Sequence, residues 1–199
     1  MDISPADQIR IKESIRDKYR SVAQSPEGYF KYPTGEVGLK GLGYDPSVVE
    51  RLPAEVRRSY CGVGNPFGPG LPGPGEKVLD IGCGAGVDTL IAALLTQPGG
   101  IALGLEPTPE MLARAVRNAE LAGLRNAWFQ EADAQGLPVP DNTFDLIVSN
   151  GAFNLVIDKA RALAEAFRTL KPGGRLQIAD QFLVPQAQPG QDPISSWFR

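Results

Sequence analysis

The chain has 199 residues, of which 42% are hydrophobic and 22% are charged, and its formal net charge is −3. This composition is typical of a soluble globular protein and argues against disorder. Because basic residues are scattered among acidic ones, neither nucleic acid nor an anionic membrane is expected as a partner. The two cysteines match no zinc spacing and histidine is absent, so we predict no metal site.

Signals for export or membrane insertion are not evident. The start MDISPADQ lacks the basic and then apolar layout of a signal peptide. The longest apolar run, residues 90–95, is too short to cross a bilayer. We therefore expect a cytoplasmic protein.

The N-terminal part of the chain predicts a helical, loop-rich cap. Residues 4–24 begin with a Ser-Pro start signal and carry apolar residues at helical spacing. Residues 25–46 are rich in Gly, Pro and Tyr, which predicts a loop, and such aromatic loops often cover a site. Short helices are expected to begin near Pro46 and Pro53. Residues 62–75 are mostly Gly and Pro, so we place the end of the cap there.

Strand and helix patterns alternate from residue 77 onward. Short apolar runs alternate with amphipathic segments, which predicts an α/β fold with a doubly wound, mostly parallel sheet. The predicted strands are residues 77–81, 101–105, 127–131, 144–149 and 175–184. The predicted helices are residues 87–95, 109–122 and 158–170, and KPGG at 171–174 is expected to end the last helix.

Three glycines follow the first predicted strand. Gly82, Gly84 and Gly86 lie in VLDIGCGAGVD, where a strand should turn into a helix. Ligands of doubly wound sheets bind beyond the carboxyl ends of the strands, and residues without Cβ atoms let the backbone approach them. Strand-to-helix turns also use glycine for structural reasons. Val87 occupies the place of the third glycine in the dinucleotide fingerprint, which argues against a nicotinamide cofactor.

Polar residues end the next three strands at the same edge of the predicted sheet. Glu106 follows the second strand, where a carboxylate accepts hydrogen bonds from ribose hydroxyls. Asp133 follows the third strand, where it can receive an adenine amino group, and Asn150 ends the fourth. The alternatives are a solvated strand end for Glu106 and a turn for Asp133. Together with the glycines, the four strand ends predict one ligand crevice.

In chain order, these motifs resemble those of a known family. VLDIGCGAG with Asp88, GLEPTPEML, EADAQGLPVPDNTFDLIVSN and LKPGGRL are similar to the successive motifs of class I S-adenosylmethionine-dependent methyltransferases. GVGNPF and SNGAFNL look most like the arsenite methyltransferase branch, which has cysteines at the positions of Val63 and Gly151. A third cysteine would lie past Arg199. As(III) needs thiolates, so the resemblance implies the cofactor and not the metalloid substrate.

The resemblance implies a role for each matching position. The three glycines would approach the amino-acid portion of S-adenosylmethionine, with an aspartate on either side orienting the loop. Glu106 would hold the ribose, Met111 would pack by the adenine, and Asn150 would meet the methionine ammonium or carboxylate. Helical spacing explains Met111 equally well as a core residue. The implied cofactor-binding residues are Asp80, Gly82, Gly84, Gly86, Asp88, Glu106, Pro107, Met111, Asp133, Ala134 and Asn150.

Methyl transfer from a sulfonium is an in-line displacement, which requires alignment more than a dedicated base. If the nucleophile carries a proton, the candidate catalytic residues are Tyr32, Asn154 and Asp180, although packing and capping roles explain them equally well. The expected function is S-adenosylmethionine-dependent methylation of a small-molecule acceptor. The alternative is a cofactor-binding protein without catalysis, or a truncated methyltransferase.

The end of the chain departs from the family pattern. The family continues with a helix and an antiparallel strand pair, whereas residues 185–199 are polar and proline-rich, so the C-terminal strands are expected to be missing. Trp197 and Phe198, or a second copy in a homodimer, are expected to cover the exposed sheet edge. The predicted organisation is a cap (1–75), a cofactor-binding core (76–184) and a tail (185–199).

Overall fold

One parallel sheet forms the centre of the computed structural model, which describes residues 3–181. Its five strands lie in the order β3-β2-β1-β4-β5, and every neighbouring pair is parallel. The strands are β1 (Lys77–Ile81), β2 (Ile101–Glu106), β3 (Ala127–Glu131), β4 (Phe144–Asn150) and β5 (Leu170–Ala179). The strand order reverses beside β1, which opens a crevice beyond the carboxyl ends of β1 and β4. The predicted doubly wound α/β fold is confirmed.

The first and the last α-helix begin at capping residues that the sequence carries. Ser4 accepts a hydrogen bond from the N–H of Asp7 at the start of the first helix, and Asp158 does the same for Arg161 at the last. None of the helices among residues 3–181 is long and apolar enough to span a bilayer. The helices are α1 (Pro5–Val22), α2 (Gly35–Gly41), α3 (Pro46–Val49), α4 (Ala54–Arg58), α5 (Val87–Leu95), α6 (Pro109–Ala122) and α7 (Lys159–Thr169), with a short 3₁₀ helix at Phe153–Leu155.

Each face of the sheet is covered by a separate hydrophobic cluster. Alternate residues of β1 point to opposite faces, so Val78 belongs to one cluster and Leu79 to the other. The Val78 cluster contains α5 and also residues of the N-terminal cap, including Leu39 and Tyr60. The Leu79 cluster contains the buried alanines of α7. The cap therefore packs directly against the sheet and α5.

Two sequence predictions differ from the observed elements. The loop predicted over residues 25–46 contains helix α2, because burying Leu39, which is 1% exposed, outweighs the low helix propensity of its glycines. Strand β5 begins at Leu170 and ends at Ala179, so KPGG lies inside the strand instead of ending α7. The extra residues are absorbed by a register shift opposite Phe144 and Leu146.

The predictions for the tail concern residues that the structure does not describe. The predicted cover by Trp197 and Phe198, the expected lack of the C-terminal strands and residues 182–184 of the predicted fifth strand all concern positions outside residues 3–181. Within the described residues, β3 and β5 are the edge strands of the sheet.

Candidate functional site

A cavity of about 280 Å³ lies at the carboxyl ends of the central strands. Its floor, which we call the strand-end face, consists of residues 80–85, 105–108, 132–135 and 150–153. Its cover, which we call the cap face, consists of residues 59–62 together with Lys12, Ile15, Arg16 and Tyr19 of α1. The crevice predicted from the four strand ends is therefore present and is covered by the cap.

The glycine turn after β1 has a backbone conformation that other residues rarely adopt. The φ angles of Gly82, Gly84 and Gly86 are 74°, 53° and 80°, all in the left-handed region. Gly82 and Gly84 line the cavity, and a Cβ atom at Gly82 would overlap Ala152. Gly86 does not line it; a Cβ atom there would lie 2.7 Å from the ring of Phe129. The first two glycines are placed for ligand approach, whereas Gly86 serves packing.

Glu106 joins the glycine turn to the end of β2. Its side chain is 6% exposed and lines the cavity. One carboxylate oxygen accepts a hydrogen bond from the N–H of Gly84 at 3.0 Å, and the other accepts one from the N–H of Thr108 at 2.9 Å. Burial raises the pKa of Glu106. Each oxygen keeps a lone pair for a ligand hydroxyl.

Two further buried carboxylates flank the glycine turn. Asp80 accepts a hydrogen bond from the hydroxyl of Thr89 at 2.7 Å, and Asp88 accepts one from the hydroxyl of Tyr44 at 2.7 Å. Burial raises the pKa of both, and the charge of Asp88 raises the pKa of Asp80 further. Among residues 3–181, no ion pair involves Asp80, Asp88 or Glu106. A cationic ligand group placed here would favour the ionised forms of these carboxylates and could pair with them.

Asn150 lines the cavity, but its side-chain amide binds the cap. Its Oδ1 accepts hydrogen bonds from the N–H groups of Val63 and Gly64 at 2.9 and 3.1 Å. Its Nδ2 donates to the carbonyl of Gly64 at 2.8 Å and to Asp88 at 2.9 Å. The contact predicted between Asn150 and a ligand stays a prediction, because cap contacts use this amide in the structure.

The remaining residues predicted to bind the cofactor lie in two places. Pro107, Asp133 and Ala134 line the cavity, and Asp133 pairs with Lys12 of α1 at 2.9 Å. Met111 is fully buried beneath the turn and does not line the cavity. A Cβ atom at Gly84 would lie 3.1 Å from the terminal methyl of Met111, so this side chain supports the turn from below.

The three candidate catalytic residues lie near the cavity without lining it. Asp180 accepts a hydrogen bond from the N–H of Asn154 at 2.9 Å. The hydroxyl of Tyr32 donates to the carbonyl of Cys61 at 3.1 Å. Burial raises the pKa of Tyr32, and the charge of Asp180 adds to that increase. Tyr32 therefore contacts the cap face, Asp180 contacts Asn154, and a catalytic role for the three residues stays a prediction.

Sequence reasoning did not single out Tyr19, which lines the cavity from α1. Its helical spacing with other apolar residues indicated a packing face, and Tyr19 does pack in one cluster with Val22 and Ala85. The available signal was an amphipathic helix preceding an aromatic loop. Periodicity alone does not tell a helix face that covers a cavity from one that covers a core.

Known proteins are similar to this chain in sequence and in fold. Residues 72–192 match the family described as Methyltransferase domain. An arsenite methyltransferase of Halobacterium salinarum is 32% identical over 206 residues, covering 96% of this chain and 52% of that protein. A demethylmenaquinone methyltransferase of Thermus thermophilus is 39% identical over 105 residues, covering 53% of this chain and 47% of that protein. The chain spans about half the length of these relatives.

Solved structures of methyltransferases are also similar to this chain. The crystal structure of CrArsM, an arsenic (III) S-adenosylmethionine methyltransferase from Chlamydomonas reinhardtii, has 35% identity and a TM-score of 0.62, and the match covers 69% of this chain and 50% of that chain. The structure of a SAM dependent methyltransferase from Aquifex aeolicus has 25% identity and a TM-score of 0.56, covering 76% of this chain and 74% of that chain.

Proposed function

The chain belongs to the class I S-adenosylmethionine-dependent methyltransferases, and on this premise we propose that it transfers a methyl group from S-adenosylmethionine to a small-molecule acceptor. The observation that carries the proposal is the glycine turn surrounded by Asp80, Asp88 and Glu106, buried carboxylates without a cationic partner among residues 3–181. The cofactor carries a sulfonium and an ammonium group. These cations would pair with the carboxylates around the turn and favour their ionised forms.

In this proposal, the strand-end face binds and orients the cofactor. The main chain at Gly82 and Gly84 approaches its amino-acid portion, Glu106 accepts hydrogen bonds from the ribose, and Asp133 and Ala134 meet the adenine edge. S-adenosylmethionine, when bound, supplies an electrophilic methyl group with a good leaving group. The protein then has to align the acceptor and exclude water, which the cover formed by α1 favours.

The proposed acceptor is not a thiophilic metalloid. The only cysteines of the chain are Cys61 and Cys83. Val63 and Gly151, where the arsenite branch has cysteines, lie against each other: a Cβ atom at Gly151 would be 3.2 Å from a methyl of Val63. Because As(III) binding needs thiolates, an apolar contact at this place favours an organic acceptor.

Two further proposals concern the domain organisation and the oligomeric state. Residues 1–75 act as the cap and residues 76–184 as the cofactor-binding core, with residues 182–184 and the tail (185–199) outside the described part. Strand β5, an edge strand among residues 3–181, pairs with a second copy of the chain to form a homodimer. Light scattering that gives the mass of one chain at micromolar concentration would contradict the dimer.

Thermal melting with added ligands tests the cofactor assignment. A ligand present at one hundred times its dissociation constant stabilises the fold by about 2.7 kcal/mol. We expect this stabilisation with S-adenosylmethionine and with S-adenosylhomocysteine, and none with NAD. Stabilisation by NAD alone would overturn the assignment. The matched variants are Glu106→Gln, which should weaken the response, and Glu131→Gln, an exposed residue at the end of β3, which should not.

Turnover separates the enzyme from a cofactor-binding protein without catalysis. Methyl-labelled S-adenosylmethionine is incubated with a panel of oxygen, nitrogen and sulfur acceptors, and labelled product is measured. We expect release of S-adenosylhomocysteine that depends on one class of acceptor. Cofactor binding without turnover across the panel would favour the non-catalytic alternative.

A further inference from the structure

The five tyrosine hydroxyls of the chain are in different situations. The hydroxyl of Tyr32 donates to a backbone carbonyl, and those of Tyr44 and Tyr60 belong to the hydrogen-bond network around Asn150. Tyr29 is 47% exposed. Tyr19 remains: it lines the cavity, and its hydroxyl makes no hydrogen bond to any of residues 3–181.

The ring of Tyr19 is held in place by packing. It contacts the ring of Phe30, with a centroid separation of 6.4 Å, and joins the cluster that contains Val22 and Ala85. Ala85 belongs to the glycine turn, so this cluster connects the ring of Tyr19 to the turn. Burial raises the pKa of Tyr19, and nearby acidic groups raise it further, so the hydroxyl stays a neutral phenol at physiological pH.

The direction of α1 places Tyr19 along the cavity. Lys12 of the same helix pairs with Asp133 at the end of β3, where the adenine is proposed to lie. Tyr19 comes seven residues later, about 10 Å further along the helix axis at 1.5 Å per residue. The acidic groups that act on Tyr19 include Glu106 after β2 and Asp180 after β5. Tyr19 therefore lies between the ribose end of the cavity and the side of the candidate catalytic residues.

We propose that Tyr19 is a catalytic residue whose hydroxyl oxygen contacts the methyl group being transferred. This inference rests on the proposed function, because it assumes that the cavity holds S-adenosylmethionine. In the reaction the bond between sulfur and methyl breaks, its electron pair stays on sulfur, and a bond from the acceptor to the methyl forms. The phenol gains and loses no proton; its oxygen orients the methyl through C–H···O contacts.

Binding measurements with two ligands test this contact. S-adenosylhomocysteine lacks the methyl group, so a contact to that group affects only S-adenosylmethionine. We expect Tyr19→Phe to weaken S-adenosylmethionine binding about two- to fivefold, in line with the modest strength of C–H···O contacts, and to leave S-adenosylhomocysteine binding unchanged. Tyr29→Phe is the matched control and should change neither. Equal changes for both ligands, or no change for either, would overturn the proposal.

A spectroscopic measurement on the wild-type protein does not depend on any variant folding. With ¹³C-methyl S-adenosylmethionine bound, we expect nuclear Overhauser contacts between the methyl protons and the ring protons of Tyr19. In Tyr19→Phe the methyl shifts should move relative to wild type, whereas Tyr29→Phe should leave them in place. Absence of the contacts would refute the role of Tyr19. Failure of wild-type protein to bind either ligand would instead refute the proposed function.

Discussion

The two faces of the cavity are held by different interactions. On the strand-end face, main-chain N–H groups bind the buried carboxylate of Glu106 beside glycines with left-handed backbone. On the cap face, exposed ion pairs such as Lys12 with Asp133 join α1 to the strand ends, and the side chain of Asn150 holds the adjacent residues 63 and 64. The strand-end face should therefore tolerate little change, whereas the ion pairs of the cap face should tolerate much.

The largest effect is expected at Gly82. Gly82→Ala places a side chain on left-handed backbone, which costs about 1–2 kcal/mol, and overlap with Ala152 adds about 1–3 kcal/mol. Gly123→Ala is the control, because Gly123 is also left-handed but has nothing within 4 Å of a Cβ atom. Urea unfolding should show the larger loss of stability for Gly82→Ala. Equal losses of stability in the two variants would mean that the overlap with Ala152 has no measurable cost.

Glu106→Ala comes next. The change leaves the N–H groups of Gly84 and Thr108 without their acceptor, at a cost of about 1–3 kcal/mol for each group that stays buried. S-adenosylmethionine affinity, measured by calorimetry, should fall at least about tenfold, because hydrogen bonds to charged groups contribute about 1.5–3 kcal/mol. Glu131→Ala, at the paired position of β3, should leave both quantities near wild type. Retained affinity in Glu106→Ala would contradict its ribose role.

Tyr44→Phe tests the hydrogen-bond network that joins the N-terminal cap to Asp88 of α5. The variant removes the hydroxyl that donates to Asp88 at 2.7 Å and keeps the ring packed against Tyr60 and Phe67. We expect unfolding free energy to fall by about 1.5–3 kcal/mol, the range for a hydrogen bond to a charged group. Tyr29→Phe, at an exposed ring, serves as the control. A loss no larger than that of the control would mean that the network contributes little.

The buried aspartates give the strand-end face a pH dependence of known sign. Because the folded pKa values of Asp80 and Asp88 are raised above the unfolded value of 3.8, the native state holds more protons than the unfolded state once pH exceeds about 4. Their contribution to stability therefore decreases as pH rises through the folded pKa values. Urea unfolding of wild type and Asp80→Asn from pH 4 to 8 should show a steeper decrease for wild type. Parallel curves would contradict the raised pKa of Asp80.

The smallest effect is expected at the ion pair on the cap face. The side chains of Lys12 and Asp133 are 55% and 45% exposed, so their coupling should be below about 1 kcal/mol and should weaken with added salt. A double-mutant cycle with Lys12→Ala and Asp133→Ala, measured by urea unfolding, gives this value. A coupling energy well above about 1 kcal/mol that does not change with salt would show that this ion pair holds the cap face as firmly as the buried contacts hold the strand-end face.

Local sequence patterns were enough to predict several strands and helices correctly. The bounds of β1, β3, α5 and α6 agree with the prediction, because apolar periodicity and capping residues are properties of neighbouring positions. α2 and the start of β5 were missed. In α2, burial of Leu39 outweighs the low helix propensity of the glycines. At the start of β5, pairing with β4 outweighs the helix-ending signal of KPGG.

By itself, the sequence determined the order of strands and helices from residue 77 onward, the position of the glycine turn and the carboxylates around it, because a strand end and the turn after it are encoded within a few residues. Only the tertiary structure decided that the Asn150 amide binds residues 63 and 64, that Met111 lies beneath the turn, and that Tyr19 faces the cavity. These outcomes depend on contacts between residues far apart in the chain. The packing of the whole cap against the sheet selects such contacts, and no local periodicity records them.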